Sequence, residues 1–285
     1  MSNSTAPISQ TTITANGLNF GALACGDDGP LALCLHGFPD SPHTWRHLLP
    51  ELAAAGYRAI APWLRGYAPT VVPADGDYSG AALAADANAL HDALGGGPDA
   101  VLIGHDWGAM TTYAAGALAP DNWRRLVAIA VPPPAVASDA FFRYAQLKRS
   151  FYIFMFQSPV AELIAGADDM AFIERLWEDW SPGYDGSTEL KQVKNSLRAP
   201  PNLAAAIGYY RAMFTIGGVE KSPPQPTLYL HGTNDGCFGV EGIRGTEDHL
   251  SADSAVDLID DVGHFLHLER PAEVNAKILD WIART

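Results

Sequence analysis

Val101-Leu-Ile-Gly-His-Asp-Trp-Gly-Ala-Met110 is the stretch on which the fold turns. Its first residues form a short apolar run without polar alternation, the pattern of a strand buried on both faces. The run enters Gly104-His105-Asp106-Trp107-Gly108 and continues into a helical pattern. So sharp a strand-to-helix turn needs small flanking residues. It projects its central side chain over the carboxyl edge of the sheet, beside the positive end of the next helix. Here that side chain is a carboxylate. Asp106 also suits a plain helix N-cap, and the turn alone leaves both readings open.

The same rhythm repeats on either side. Apolar runs of strand length fall at Thr11 to Ala15, Leu18 to Ala24, Leu31 to Leu35, Arg58 to Pro62, Ala100 to Gly104, Leu126 to Val131, Thr227 to His231 and Ala255 to Ile259. Helical patterns lie near Ser41 to Ala55, Ser79 to Leu94, Trp107 to Leu118, Gly239 to His249 and Pro271 to Ile282. Alternation of this kind predicts an α/β fold, a mostly parallel eight-stranded sheet flanked by helices. From Pro134 to Pro224 the pattern turns helical and aromatic-rich, with no central strand. Val131-Pro-Pro-Pro134 and Lys221-Ser-Pro-Pro-Gln-Pro226 bracket it as boundaries. The expected organisation is a core of residues 1–133 and 225–285 with residues 134–224 inserted as a helical cap.

The 285 residues, 48% hydrophobic and 18% charged, can bury a large core and exclude a disordered or fibrous chain. The net charge of -14, without any basic run, argues against a nucleic-acid partner. Three cysteines, Cys25, Cys34 and Cys237, with no Cys-x-x-Cys pair suggest neither a disulfide framework nor a zinc site. The first residues show no basic segment followed by an apolar one, and no run approaches the roughly 18 apolar residues of a membrane helix. A cytoplasmic protein with no membrane partner is expected. Oligomeric state stays open, a homodimer included.

Three further motifs each follow a strand. In Leu35-His36-Gly37-Phe38-Pro39-Asp40, a backbone amide can be aimed beside the Asp106 turn, and with the amide after Asp106 it would form an oxyanion hole. The candidates are the amides of Phe38 and Trp107. The others are Leu230-His231-Gly232-Thr-Asn-Asp235-Gly236 and Asp261-Val262-Gly263-His264-Phe-Leu-His267-Leu-Glu269. Carboxylate, acid and histidine thus come in the chain order Asp106, Asp235, His264. Asp235 also suits a turn. His264 is preferred over His267 because it stands beside Gly263 at the strand exit, whereas His267 reads as the start of the next helical turn. A metal held by His36, His105 and His264 has no supporting spacing, so neither metal nor cofactor is expected.

Through His36-Gly37-Phe38-Pro39, Arg65-Gly66-Tyr67, Gly104-His105-Asp106-Trp107-Gly108, His231-Gly232-Thr-Asn-Asp235 and Gly263-His264-Phe-Leu-His-Leu-Glu-Arg-Pro271, the chain resembles the α/β-hydrolases of the epoxide hydrolase family, which are related to haloalkane dehalogenases. The resemblance spans nearly the whole length. In the cap, Phe151-Tyr152-Ile-Phe-Met-Phe-Gln157 resembles the segment carrying the family's first epoxide-activating tyrosine, and Gly208-Tyr209-Tyr210-Arg211 the segment carrying the second. It implies those roles for Tyr152 and Tyr210, with Tyr209 an adjacent alternative. It also implies substrate contacts by Phe38, Trp107, Tyr152 and Tyr210. The sequence departs from many relatives at Trp63, where they have Asp, and Val131-Pro-Pro-Pro-Ala-Val136 offers no second carboxylate to compete with Asp235.

An ionised aspartate can attack an sp³ carbon from the side opposite its leaving group, forming an ester on the enzyme. An epoxide oxygen leaving that carbon needs a proton donor, a task for phenols. His264, oriented by Asp235, would then activate the water that hydrolyses the ester. The implied reaction is hydrolysis of a small apolar epoxide to a vicinal diol. A haloalkane dehalogenase would use the same nucleophile but hold halide with indole or amide donors, and Phe38 stands where those relatives commonly have Asn. A non-catalytic binder would tend to lose a catalytic member, and none is missing. Phe141, Phe142, Phe151, Phe154, Phe156, Trp177 and Trp180 suggest an apolar ligand, although a cap core would show the same residues.

Overall fold

The computed structural model describes residues 6–214 and 222–284. Its strands are β1 (Ser9–Ala15), β2 (Leu18–Cys25), β3 (Leu31–Leu35), β4 (Arg58–Pro62), β5 (Val101–His105), β6 (Arg125–Ile129), β7 (Thr227–Gly232) and β8 (Ala255–Ile259). They form one sheet in the order β1-β2-β4-β3-β5-β6-β7-β8. β1 and β2, joined by a tight turn at Asn16-Gly17 with φ of 46° and 73°, pair antiparallel, as do β2 and β4. The remaining pairings are parallel. Every residue of β3, β5, β6 and β7 is buried, which is why their sequences are mostly apolar and do not alternate with polar residues. Edge strand β1 alternates instead, with Ile13 and Ala15 facing inward.

On this sheet lie α1 (Leu48–Ala54), α2 (Gly80–Ala93) and α3 (Trp107–Leu118). The Ser79 hydroxyl caps α2 by accepting from the Ala82 amide at 3.2 Å. The helix expected over Ser41 to Ala55 is two pieces, a 3-10 turn at Pro42–Trp45 followed by α1. Between β6 and β7 the chain forms α4 (Pro134–Phe141), α5 (Tyr144–Arg149), α6 (Phe151–Met155), α7 (Ala161–Trp180), α8 (Ser187–Leu197) and α9 (Pro200–Ala212). α7 is interrupted at Ala167 to Met170, where the backbone leaves helical angles. Lys221 of the expected proline-rich boundary lies outside the described residues, as do Met1 to Thr5. After β7, Gly239 to His249 holds only two 3-10 turns, Val240–Gly242 and Thr246–His249, where a helix was expected. α10 (Leu266–Glu269) and α11 (Pro271–Ile282) complete the fold. Among the described residues no helix is long and apolar enough to cross a membrane.

Strand order sets the position of the chemistry. β3 continues through α1 to β4 on one side and pairs with β5 on the other, so the loops leaving β3 and β5 start side by side and diverge. The crevice of an open α/β sheet forms at such a reversal. Leu35 pairs with Gly104, which brings His36-Gly37-Phe38 against His105-Asp106.

A buried ion pair ties the loop after β4 to α2. Arg65 Nε and Nη2 donate to the two Asp86 oxygens at 2.5 and 2.6 Å, Arg65 Nη1 donates to the Asp77 carbonyl, and the Asn16 amide donates to Asp86 at 2.7 Å. Both charged side chains are less than a tenth exposed. Removing one partner would leave the other charged and buried, so Asp86→Ala should lower stability to urea unfolding by about 3–5 kcal/mol. A loss below about 1 kcal/mol, the size seen for exposed pairs, would contradict this account.

Candidate active site

Asp106 follows β5 at φ 54° and ψ -117°, a conformation uncommon for a residue with a side chain. It occupies the N-cap position of α3, yet its side chain makes no capping bond, so the plain capping role does not hold. Three glycines make the turn sterically feasible. A Cβ on Gly104 would lie 2.1 Å from the Gly108 carbonyl oxygen, one on Gly108 2.1 Å from the Leu35 carbonyl oxygen, and one on Gly37 2.3 Å from Asp106 Oδ1. The Gly-x-Asp-x-Gly spacing is thus a packing requirement of the turn.

The carboxylate is 5% exposed and accepts a 2.8 Å bond from the Phe38 amide at Oδ1. The Trp107 amide opens α3 at the same turn and makes no bond to the carboxylate in this resting geometry. On the other oxygen, Oδ2, His264 Nε2 stands at 3.6 Å, and its Nδ1 lies 2.9 Å from Asp235 Oδ2. Asp235 Oδ1 in turn accepts from the Cys237 and Phe238 amides at 2.7 and 2.9 Å. The His264 and Gly236 amides both donate to the Trp180 carbonyl, so one helix end fixes the loops of acid and histidine together. Burial opposes charging of His264. Asp235, then Asp106, outweigh it and raise the imidazole from 6.5 to about 10. His264 is therefore an imidazolium between two carboxylates.

The other motif histidines differ. His267 belongs to α10, with Nε2 against the Thr44 hydroxyl, and burial lowers it to about 3. His36 is lowered to about 3 as well, and both its ring nitrogens meet backbone groups, the Gly37 carbonyl and the Leu64 amide. It has no lone pair left for the metal set considered from sequence. Among the described residues two buried groups bring ligand-type atoms within 4.8 Å of one another, Asp40 with His105 and His267, and Asp106 with Cys237 and His264. In the second, burial and then Asp235 and Asp106 hold the thiol well above its ordinary range, so it lacks the thiolate that metals prefer.

The inserted helices supply the opposite wall. Tyr152 of α6 and Tyr210 of α9 are both buried, with ring centroids 5.4 Å apart. Tyr210 also packs edge-on against Phe38 and Trp107, at 5.1 and 5.3 Å. Among the described residues its buried hydroxyl meets no acceptor, and the Trp107 side chain is near enough to act on it as a donor. Tyr209 is instead engaged, donating to the Arg65 carbonyl at 2.8 Å and stacking on Tyr78. Tyr210, unlike Tyr209, thus keeps a phenol proton that no acceptor among the described residues takes. Burial above all pushes both Tyr152 and Tyr210 up, followed by Cys237 for the first and Asp106 for the second, so both stay protonated. Of the other aromatics, Phe156 packs on Phe38 and Tyr210, and Trp180 on Tyr152 and His264. Phe142, Phe151 and Phe154 are exposed.

Sequence reading gave no site role to Cys237, whose sulfur lies within 4.8 Å of the Asp106 and His264 ligand atoms, and saw in Trp180 only an aromatic ring, whereas its carbonyl holds the two loops. Cys237 stands two residues beyond Asp235, a proximity that could have drawn attention. Nothing in the sequence signals the Trp180 carbonyl.

The alpha/beta hydrolase fold family model matches residues 30–271. The chain is 31% identical over 277 residues to epoxide hydrolase 4 of Mus musculus, covering 93% of this chain and 77% of that protein. It is 30% identical over 313 residues to epoxide hydrolase A of Mycobacterium tuberculosis, covering 95% and 96%. The crystal structure of a Bacillus megaterium epoxide hydrolase in complex with an inhibitor superposes with a TM-score of 0.86 at 26% identity, covering 96% of this chain and all of that one, 100%.

The raised His264 gives stability a definite pH dependence. The folded protein keeps a proton that the unfolded chain releases near 6.5, so this stabilisation is complete below pH 6.5 and is lost as pH rises through about 10. The melting temperature should decline between about pH 7 and 10, and His264→Gln should flatten the decline. Equal slopes in the two proteins would show that His264 is not held as the imidazolium.

Proposed function

The chain belongs to the α/β-hydrolase fold family and to its epoxide hydrolases, and we propose that it converts an epoxide to a vicinal diol through an ester on Asp106. The observation that carries this reading is a carboxylate, in place of a hydroxyl, facing two protonated phenols, one of them with no acceptor for its proton among the described residues. In this reading residues 134–224 act as the cap over a core of 1–133 and 225–285. The apolar rings of Phe38, Trp107, Phe156 and Trp180 favour a small apolar epoxide.

An Asp106 oxygen attacks a ring carbon, the carbon–oxygen bond breaks, and the departing oxygen takes a proton from the phenols Tyr152 and Tyr210. Esterification removes the negative charge 3.6 Å from His264 Nε2. The imidazolium then loses one of the two carboxylates that held it charged, and its proton restores the phenol. A neutral base now faces the ester. With Asp235 on its other nitrogen, His264 takes a proton from water, whose oxygen adds to the Asp106 carboxyl carbon. The Phe38 amide, and that of Trp107 once the carbon becomes tetrahedral, stabilise the oxyanion; one such donor is worth roughly 100- to 1,000-fold in rate. Collapse releases the diol and returns Asp106 as carboxylate and His264 as imidazolium. The base is thus switched on by the first half-reaction.

A halide-releasing reaction finds less support. Phe38 offers no side-chain donor, and the Trp107 indole is packed between Tyr209 and Tyr210. A non-catalytic binder would have no use for the imidazolium between two carboxylates.

His264→Gln should still form the ester and fail to release it, because attack by Asp106 needs no base. Mixed with a panel of aliphatic and aryl epoxides, the variant should gain the mass of one substrate by intact-mass measurement, while the wild type produces diol and Asp106→Ala does neither. Normal turnover by His264→Gln with no adduct would overturn the mechanism.

A further inference from the structure

The two phenols are not equivalent. The Tyr210 hydroxyl meets no acceptor among the described residues, whereas the Tyr152 hydroxyl lies 3.6 Å from the Cys237 sulfur, a sulfur hydrogen bond in which either atom can be the donor. That sulfur is also within 4.8 Å of the ligand atoms of Asp106 and His264. The rest of Cys237 is immobilised by backbone bonds. Its amide donates to Asp235 Oδ1, and its carbonyl accepts from the Gln146 side chain at 2.9 Å. The Gly239 amide returns a bond to Gln146 at 3.1 Å. The side chain therefore presents its thiol at a set place beside Asp106 and His264, while its main chain bonds Asp235.

We propose that Cys237 is a positioning residue that acts through Tyr152: its thiol donates to the Tyr152 oxygen and leaves the phenol proton directed at the epoxide oxygen. This inference rests on the epoxide-opening reading above. The relay runs from the S–H of Cys237 to the O–H of Tyr152 to the oxygen that leaves the ring carbon. As that oxygen gains charge, it draws the Tyr152 proton, and charge builds on the phenol oxygen. A hydrogen bond into that oxygen strengthens the phenol as a donor, since chained hydrogen bonds polarise one another. A thiolate could not donate, and would compete with Asp106 for the epoxide. Burial together with Asp235 and Asp106 keeps the thiol protonated, which suits the donor role and blocks alkylation of the sulfur. A serine would not reproduce the contact, because its oxygen sits on a shorter bond and needs a closer approach than sulfur does.

The test separates the two half-reactions by rapid-mixing single turnover, following ester formation and ester hydrolysis in Cys237→Ala and in the bulkier Cys237→Val. Both variants keep the backbone bonds to Asp235 and Gln146. Ester formation should slow by roughly three- to tenfold, the scale of one hydrogen bond, with ester hydrolysis unchanged. The effect should vanish in a Tyr152→Phe background and persist in Tyr210→Phe. Unchanged ester formation in both variants would overturn the proposal. So would equal slowing of both steps, the mark of a disturbed Asp235 loop, or a full effect in the Tyr152→Phe background. If the wild type itself forms no ester with any epoxide, the failure lies with the proposed reaction and not with Cys237.

Discussion

Everything at the centre of this molecule depends on one backbone turn. Asp106 is held at φ 54°, a conformation that costs of order 1–3 kcal/mol for a residue with a side chain. It is sustained because its amide bonds the Ile129 carbonyl at 3.1 Å, its carboxylate takes the Phe38 amide, and glycines at 37, 104 and 108 let three backbones approach. The parallel register of β3 against β5 places those groups. A fully buried sheet centre supplies the rigidity, since strands buried on both faces cannot slip without exposing their apolar side chains.

Charge is distributed around that turn with the same economy. His36, His105 and His267 are all buried and all lowered by burial, and so carry no charge. His264 is no less buried, yet it is raised, because two carboxylates face its two nitrogens. The positive charge of the site is thus concentrated on the imidazole that stands beside Asp106. In the proposed reaction its magnitude would depend on whether Asp106 is free or esterified, which would couple His264 to the progress of that reaction.

The inserted helices are fastened to the loops that carry the chemistry. Trp177 stacks on Phe265 at 3.6 Å, beside His264, and donates to the Pro39 carbonyl, next to Phe38. Tyr209 and Asn202 bond the carbonyls of Arg65 and Gly66. Trp63, at the position where the family resemblance leads one to expect Asp, sends its indole N–H to the Ser196 hydroxyl of α8. The departure at Trp63 thus serves attachment between core and inserted helices. With these bonds the phenols are held across from Asp106 by structure that does not itself react.

The strands, their approximate limits and the chain order Asp106, Asp235, His264 were legible in the sequence, because apolar periodicity and glycine spacing are local consequences of burial and turn geometry. Even there β5 ends one residue later than its pattern suggests, at His105, and the stretch from Gly239 to His249 coils into 3-10 turns, with Gln146 from a distant helix bonding the Gly239 amide. Which of two adjacent tyrosines keeps a free hydroxyl was not legible. Neighbours on a helix point about 100° apart, and only the Arg65 carbonyl, 144 residues away in sequence, occupies Tyr209 and leaves Tyr210 open. Likewise no local pattern distinguishes His264 from the neutral histidines packed around it, nor sets a cysteine sulfur beside a phenol 85 residues distant. Those relations depend on burial and on partners brought from elsewhere in the chain, and they exist only once the sheet has closed and the helices have packed upon it.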